Sequence, residues 1–362
     1  MTRDVRAVVD LAALRHNLAM VRAAAPSSRV MAVVKANGYG HGLQETAKAL
    51  VSADAFAVSC LEEALTLREA GLLHPIVLLE GFFDSDELRA ITTHRLDIVV
   101  HADWQLQVLE RCRLQRPIRV WVKVDTGMGR IGFQPERVGA VLERLRACSA
   151  VRQLRLMTHL AYADDRRSPK TEEQLALFER ISAELGLERS IANSAGILAW
   201  PATHAEWVRP GIMLYGVSPF VDDGPRPELR PVMTLSSRLI AIQQFRRGDT
   251  VGYAGSYVCP EDMAVGIVAI GYGDGYPRHA SNGGPVLVKG RRTTILGRVS
   301  MDMLCVDLRG FDDVQVNDPV VLWGAGLPVE EVAAASGTIP YELLCKLTQR
   351  VRFEYRDQHG ES

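Results

Sequence analysis

The run RVMAVVK, Arg29–Lys35, is apolar and β-branched until a single cation closes it. Seven runs of the same make follow: AFAVSC from Ala55, IVLLE from Ile76, DIVV from Asp97, RVWVKVD from Arg119, LRLMTHL from Leu154, RSIAN from Arg189 and WVRPGIMLYG from Trp207. Between them lie LEEALTLREAG, ADWQLQVLERCRL, PERVGAVLERLRA and TEEQLALFERISAELG, whose apolar residues recur three and four positions apart. Short apolar runs bounded by turn residues predict strands, and that spacing predicts amphipathic helices. Eight strand–helix alternations between residue 29 and about residue 216 are what a closed parallel barrel requires, whereas a doubly wound sheet usually stops at five or six strands. The fold expected is α/β: a (β/α)8 barrel of the TIM type, followed by a mainly β C-terminal domain.

The second part of that expectation starts at VSPFVDDGPRPELRP, residues 217–231, a proline-rich stretch of the kind that separates domains. Beyond it VMTLSSRLIAIQQF, MAVGIVAIGYG, GPVLVKG, RRTTILGRV and DPVVLWG follow one another with turn residues between, and helical patterns return only in EEVAAASG and YELLCKLTQRV. The boundaries drawn are a barrel over 8–225 and a mainly β domain over 226–362, the first few residues of the chain being free to join the latter.

With 362 residues, 47% of them hydrophobic, the chain can bury a large core. Its 42 basic and 43 acidic residues leave a formal charge of −1, which offers no electrostatic footprint for nucleic acid or an anionic membrane surface. The N-terminus lacks the apolar core of a signal peptide, and no stretch reaches about 18 uncharged apolar residues, so a soluble cytoplasmic protein acting on a small molecule is expected. Six scattered cysteines without a CxxC pair argue against a zinc site or a disulfide framework.

Active sites of such barrels lie at the carboxyl ends of the strands. The residues closing the runs are polar: Lys35 on the first, Asp125 and then TGMGR with Arg130 on the fifth, His159 on the sixth, Asn193 and Ser194 on the seventh, Arg209 before Gly211 and Ile212 on the eighth. Barrel enzymes often bind phosphate after strands seven and eight. A lysine facing a phosphate across the mouth suggests pyridoxal phosphate, which needs an amine for its aldehyde, donors for its phosphate and a partner for its ring nitrogen. An apolar surrounding favours the neutral amine that such a link requires. The competing reading of Lys35 is a rim lysine paired with a carboxylate.

AVVKANGYGHG, KVDTGMGRIGF, MTHLAYADD, ANSAGIL, VRPGIMLYG, VGYAGSY, IGYGDGYPR and GRVSMDM resemble, in order and over nearly the whole chain, segments of the alanine racemases. That resemblance implies pyridoxal 5′-phosphate on the barrel, linked to Lys35, and interconversion of L- and D-alanine by two bases, Lys35 and Tyr253, on opposite faces of the α-carbon. It implies phosphate contacts from Tyr39, Ser194, Gly211 and Ile212, with Asn193 beside them, Arg209 at the ring nitrogen, and His159, with Arg209 behind it, as support for the ionised phenol of Tyr253. Arg130 would donate to the phenolic oxygen and the substrate carboxylate, Met301 and Asp302 would complete the substrate pocket, and Tyr272 and Arg278 would line the access corridor. In many members Lys123 is carbamylated and orients Arg130, and two subunits associate head to tail as a homodimer that shares its sites. One departure stands out: where many relatives have a phosphate-binding tyrosine near the C-terminus, this chain has Gln349. A broad-specificity amino-acid racemase, a barrel-type decarboxylase, which carries a carboxylate where Arg209 stands, and a non-catalytic cofactor carrier are the alternatives. D-Alanine for peptidoglycan and alanine catabolism are both compatible roles.

Overall fold

The computed structural model describes residues 3–220, 224–225, 228–280 and 282–357. It divides into two compact units: one is Arg15–Leu214 with Ser218–Leu229, the other takes the chain up to Leu14, Tyr215–Val217 and the chain from Arg230 onward. The stretch expected to hold the boundary at 225/226 lies partly outside the described residues, at 221–223, 226 and 227. Among the described residues no helix is long and apolar enough to cross a membrane.

After a first strand, β1 (Arg6–Asp10), the barrel unit closes on β2 (Arg29–Val33), β3 (Ala55–Val58), β4 (Ile76–Leu78), β5 (Asp97–Val100), β6 (Ile118–Lys123), β7 (Val151–Met157), β8 (Arg189–Ser190) and β9 (Trp207–Val208). All eight are parallel, and β9 pairs back onto β2 through Arg29 with Trp207 and Val30 with Val208. The eight strands arise where the eight runs stand. The last two are shorter than their runs, two residues each, and Pro210, lacking an N–H, cannot extend the ladder of β9.

Side chains alternate across each strand, so one parity faces the barrel axis. That parity supplies Met31, Val33, Ala55, Ala57, Val77, Val99, Trp121, Met157 and Trp207 as one buried apolar layer. Two residues earlier on β2, β6 and β7, with Asp97 opening β5, the same parity places ions. Arg155 Nε contacts Glu188 Oε2 at 2.6 Å, Arg29 Nη2 contacts Glu188 Oε1 at 2.6 Å, and Arg119 Nε donates to Asp97 Oδ1 at 2.8 Å. The Arg155 guanidinium also lies 5.1 Å from the Trp121 ring centre and 5.2 Å from that of Trp207, beside two indoles that meet edge to face. The barrel therefore has an ionic floor beneath its apolar middle.

The second unit is built on an eight-stranded sheet in the order β13-β16-β15-β14-β17-β10-β1-β18, with β10 (Met233–Phe245), β13 (Met263–Val268), β14 (Pro285–Val288), β15 (Arg291–Leu296), β16 (Leu304–Asp307), β17 (Pro319–Trp323) and β18 (Arg352–Arg356). The long β10 pairs with β17 over residues 235–238 and, after a bulge, with β13 over residues 239–245, which returns the sheet upon itself. A separate ribbon of β11 (Thr250–Val251) and β12 (Tyr257–Val258) projects a turn between them. A mainly β unit was expected here and is found.

Removing Arg155 leaves Glu188 with less of its charge matched and opens a space beside two tryptophans. Arg155→Ala is expected to lower barrel stability by about 3 kcal/mol in urea unfolding; a loss under about 1 kcal/mol would show that the floor is not held by this residue.

Candidate active site

Carried past the strand ends, the inward parity brings Lys123, His159 and Arg209 onto the far side of the apolar layer. Arg209 is buried, and its two terminal nitrogens are anchored: Nη1 donates to Ser190 Oγ at 2.5 Å and Nη2 to the carbonyls of Thr158 at 2.5 Å and Ile191 at 3.2 Å, with His159 Nδ1 at 3.5 Å. Burial pushes its pKa down to about 10, still protonated at neutral pH. His159 is held well below the usual imidazole range, first by burial and then by the charge of Arg209. Neutral, it can accept from Arg209.

Lys123, also buried, falls well below the ordinary lysine range through burial and then through Arg209 and Arg130. Among the groups acting most strongly on it Asp125 is the one anion, and those acting on His159 are the cations Arg209, Lys123, Arg130 and Lys35. Asp125 is committed locally: its Oδ1 accepts from the N–H groups of Gly127 at 3.0 Å and Gly129 at 3.1 Å, shaping the loop that carries the exposed Arg130 to the rim. The mouth thus gathers positive charge in excess of its own carboxylates.

Lys35 follows β2 and opens a left-handed turn. Ala36, Asn37, Gly38 and Tyr39 take φ of 52°, 55°, 61° and 51°, a conformation that residues with a Cβ hold only when their surroundings impose it. Here the Gly38 N–H donates to Val34 O at 2.8 Å, the Ala36 N–H to Glu63 Oε1 at 2.7 Å and the Leu43 N–H to Asn37 Oδ1 at 2.9 Å. At Gly38 a Cβ would lie 2.8 Å from Thr46 Oγ1, so glycine alone fits. The glycines of this stretch mark positive φ in the sequence without revealing that three non-glycine neighbours share it. The turn fixes where the lysine leaves the strand.

A second corner adjoins this turn, because β9 pairs with β2. Asn193 caps the helix Ser194–Ala199, its Oδ1 accepting from the Gly196 N–H at 2.9 Å. Ser194 Oγ accepts from the Gly211 N–H at 2.9 Å, and a Cβ on Gly211 would stand 2.7 Å from Tyr39 Oη. Two hydroxyls and the backbone of Gly211 and Ile212 therefore converge where the sequence placed a phosphate.

The remaining expected residues belong to the β unit. Tyr253 sits in the turn between β11 and β12, 67% exposed, next to Ala254 at φ 60°. Tyr272 and Met301 lie on adjoining segments, the Tyr272 N–H donating to Ser300 O at 3.0 Å and the Gly273 N–H to Met301 O at 2.8 Å. Asn282 joins that region to the Tyr253 turn: its Nδ2 donates to Ser256 O at 2.9 Å and its Oδ1 accepts from the Gly297 N–H. Arg278 is exposed and takes no part in these bonds.

Sequence reading missed Glu63 and Gln174. Gln174, on the buried face of the helix Lys170–Ser182, accepts from the Ala161 N–H at 2.9 Å and donates to His159 O at 3.1 Å and Thr126 Oγ1 at 3.3 Å. It ties the loop of His159 to that of Arg130. The available signal was a polar residue at the helical spacing of Phe178, because a buried amide must find partners.

A closed parallel barrel with a lysine, an arginine and a histidine at its carboxyl rim is the architecture of a barrel enzyme. The family profile of the alanine racemase N-terminal domain matches residues 9–219, and that of the C-terminal domain residues 232–355. The chain is 53% identical to the alanine racemase of Halorhodospira halophila over 357 residues, 98% of each, and 55% identical to that of Nitrosococcus oceani over 348 residues, 96% of this chain and 98% of that one. It superimposes on the biosynthetic alanine racemase of Pseudomonas aeruginosa with a TM-score of 0.95 at 46% identity, covering 98% of this chain and 100% of that one. The chain belongs to the alanine racemase family, a family of isomerases.

Acid should loosen this site. Burial pushes the His41 imidazole, whose Nδ1 faces the carbonyls of Gly38 and Tyr39, down to about 4, whereas in an unfolded chain it titrates near 6.5. Between those values the unfolded chain binds the extra proton, so stability present above pH 6.5 is lost as pH falls toward 4, by up to about 1.4 kcal/mol per pH unit. Urea midpoints for His41→Asn should depend less steeply on pH in that window than those of the wild type; equal slopes would contradict the assignment.

Proposed function

We propose that this chain is a cytoplasmic alanine racemase that binds pyridoxal 5′-phosphate at the barrel mouth and interconverts L- and D-alanine by moving the α-proton between Lys35 and Tyr253. The observation that carries the reading is the cationic layer itself: Lys35, Lys123, Arg130 and Arg209 surround a neutral His159 with little negative charge of their own. Such a site suits an anion that also offers a carbon for an amine.

The residues present fit that cofactor. Tyr39, Ser194, Gly211 and Ile212, with Asn193 shaping the corner, would hold its phosphate; Arg130 would meet its phenolic oxygen, Arg209 its ring nitrogen, and Lys35 its aldehyde. When bound, pyridoxal phosphate supplies an electrophilic carbon for the substrate amine and a conjugated ring that takes up electron density as the α-proton departs. Arg209 can donate a hydrogen bond to the ring nitrogen but keeps its own proton at neutral pH, so little charge is drawn far from the α-carbon. That favours return of the proton to the same carbon.

Inversion requires a proton taken from one face and delivered to the other, hence two groups within hydrogen-bond reach of the carbon. Lys35 serves one face, and the phenol of Tyr253 the other. Arg130 and the backbone amide of Met301, with Asp302, would fix the substrate carboxylate, while Tyr272 and Arg278 would line the approach. The exposure of Tyr253 and of Met301, 52% exposed, supports a surface completed by a second copy. We place the two bases on different subunits of a head-to-tail homodimer. D-Alanine made this way would supply peptidoglycan precursors or serve alanine catabolism.

Burial and the neighbouring cations disfavour the proton on Lys123 and so favour its reaction with carbon dioxide, and the resulting carbamate would supply negative charge beside Arg130. Intact mass measured gently at neutral pH with bicarbonate is expected to show one added carbon dioxide, lost in Lys123→Met; an unmodified mass would remove the carbamate.

The purified protein should convert L-alanine to D-alanine, and Lys35→Ala and Tyr253→Phe should each lower kcat at least about 100-fold. Mixing the two inactive variants should restore part of the activity, since a mixed dimer regains one intact site. Racemisation that survives both substitutions would sink the reading, and failure to complement would remove the shared site.

A further inference from the structure

Beside the exposed Gln349 stands Arg350, to which nothing above gives a role. Its Nη2 contacts Asp302 Oδ1 at 2.6 Å, and its Nε contacts Asp274 Oδ1 at 3.3 Å. Asp274 is fully buried, accepts from the Gly271 N–H at 2.9 Å, and pairs through both oxygens with Arg3, whose Nη1 lies 2.6 Å away. Arg3 in turn donates to the carbonyl of Asp302 at 3.1 Å. Two guanidiniums and two carboxylates thus close a balanced ring around one buried anion, the arrangement in which a buried charge is tolerated.

The backbone follows the same plan. The Thr348 N–H donates to Asp274 O at 3.1 Å, Thr348 Oγ1 to Gly273 O at 3.0 Å, and the Gly273 N–H to Met301 O at 2.8 Å. Segments 271–275, 300–303 and 348–350 are therefore anchored on Asp274. The planar fork of a guanidinium holds two carboxylates in a fixed geometry, which the flexible point charge of a lysine does not.

We infer that Arg350 is a positioning residue for the substrate carboxylate: aimed by Asp274, it sets the side chain of Asp302 and with it the backbone of Met301. The inference rests on the reading of Met301 and Asp302 as substrate-binding residues. Loss of a group that orients a binding segment without touching the reacting carbon raises KM and leaves kcat nearly intact.

The test uses full-length holoenzyme carrying Arg350→Ala or Arg350→Lys. Arg350→Ala should raise KM for alanine about tenfold with kcat within about threefold of wild type, and Arg350→Lys should recover only part of the loss. Amide hydrogen exchange should quicken in peptides spanning 297–303 and stay unchanged in barrel peptides. Should Arg350→Ala not fold, the same split and exchange pattern in the milder Arg350→Lys decides. Unchanged KM, a fall in kcat alone, or unchanged exchange at 297–303 overturns the inference. An inactive wild-type protein would instead sink the racemase reading, and the exchange comparison would still decide whether Arg350 holds the segment.

Discussion

Everything at the barrel mouth depends on a layer of cations stacked on a dry apolar layer. A guanidinium as buried as that of Arg209 is tolerable only because three oxygens, from Ser190, Thr158 and Ile191, accept its protons. Once fixed, its charge and the surrounding apolar walls disfavour protons on Lys123 and His159. The strand alternation that packs Trp121 and Met157 against each other also sets Lys123 and His159 two residues further on, so core and chemistry come from one periodicity. The opposite end of the barrel uses the same device with Arg119 and Arg155, but there Asp97 and Glu188 match the charge. The floor pairs its cations with carboxylates and the mouth does not.

Where the mouth is unbalanced the backbone is also strained. The left-handed turn after Lys35 keeps three non-glycine residues at positive φ, held by Glu63, Asn37 and the packing at Gly38. On the β unit, Ala254 beside Tyr253 shows the same departure. Strain of this sort persists where surrounding contacts over-determine it, and it clusters at positions that must present a side chain at a set angle. Its occurrence next to both proposed bases is what geometric control of a proton would require.

The barrel was legible because each strand is an apolar β-branched run set between amphipathic helices, a pattern that survives without any knowledge of contacts. The inward positions of Lys123, His159 and Arg209 follow from parity and could be read the same way. Less was visible where pairing is long-range. Nothing in the sequence near Arg3 announces Asp274, 271 positions away, and Gln174 reads as one more polar residue on a helix. The rigidity of the KANGY turn is not legible, because glycine signals permission for positive φ and not the hydrogen bonds that enforce it. The strand at Trp207 is shorter than its run because apolar residues continue past the point where Pro210 interrupts the ladder.

The proposed mechanism uses two proton carriers of different chemistry, an amine on the barrel and a phenol on the β unit, and so differs from one in which a single group rocks across the substrate. Isotope transfer at the α-carbon reports the difference most directly. In deuterated water, D-alanine formed during the first turnovers from α-protiated L-alanine should carry deuterium, because the hydrogen delivered comes from the opposite, solvent-exchanged base. D-Alanine that retains the original hydrogen would mean that one group carries it across both faces, and would contradict the two-base assignment of Lys35 and Tyr253.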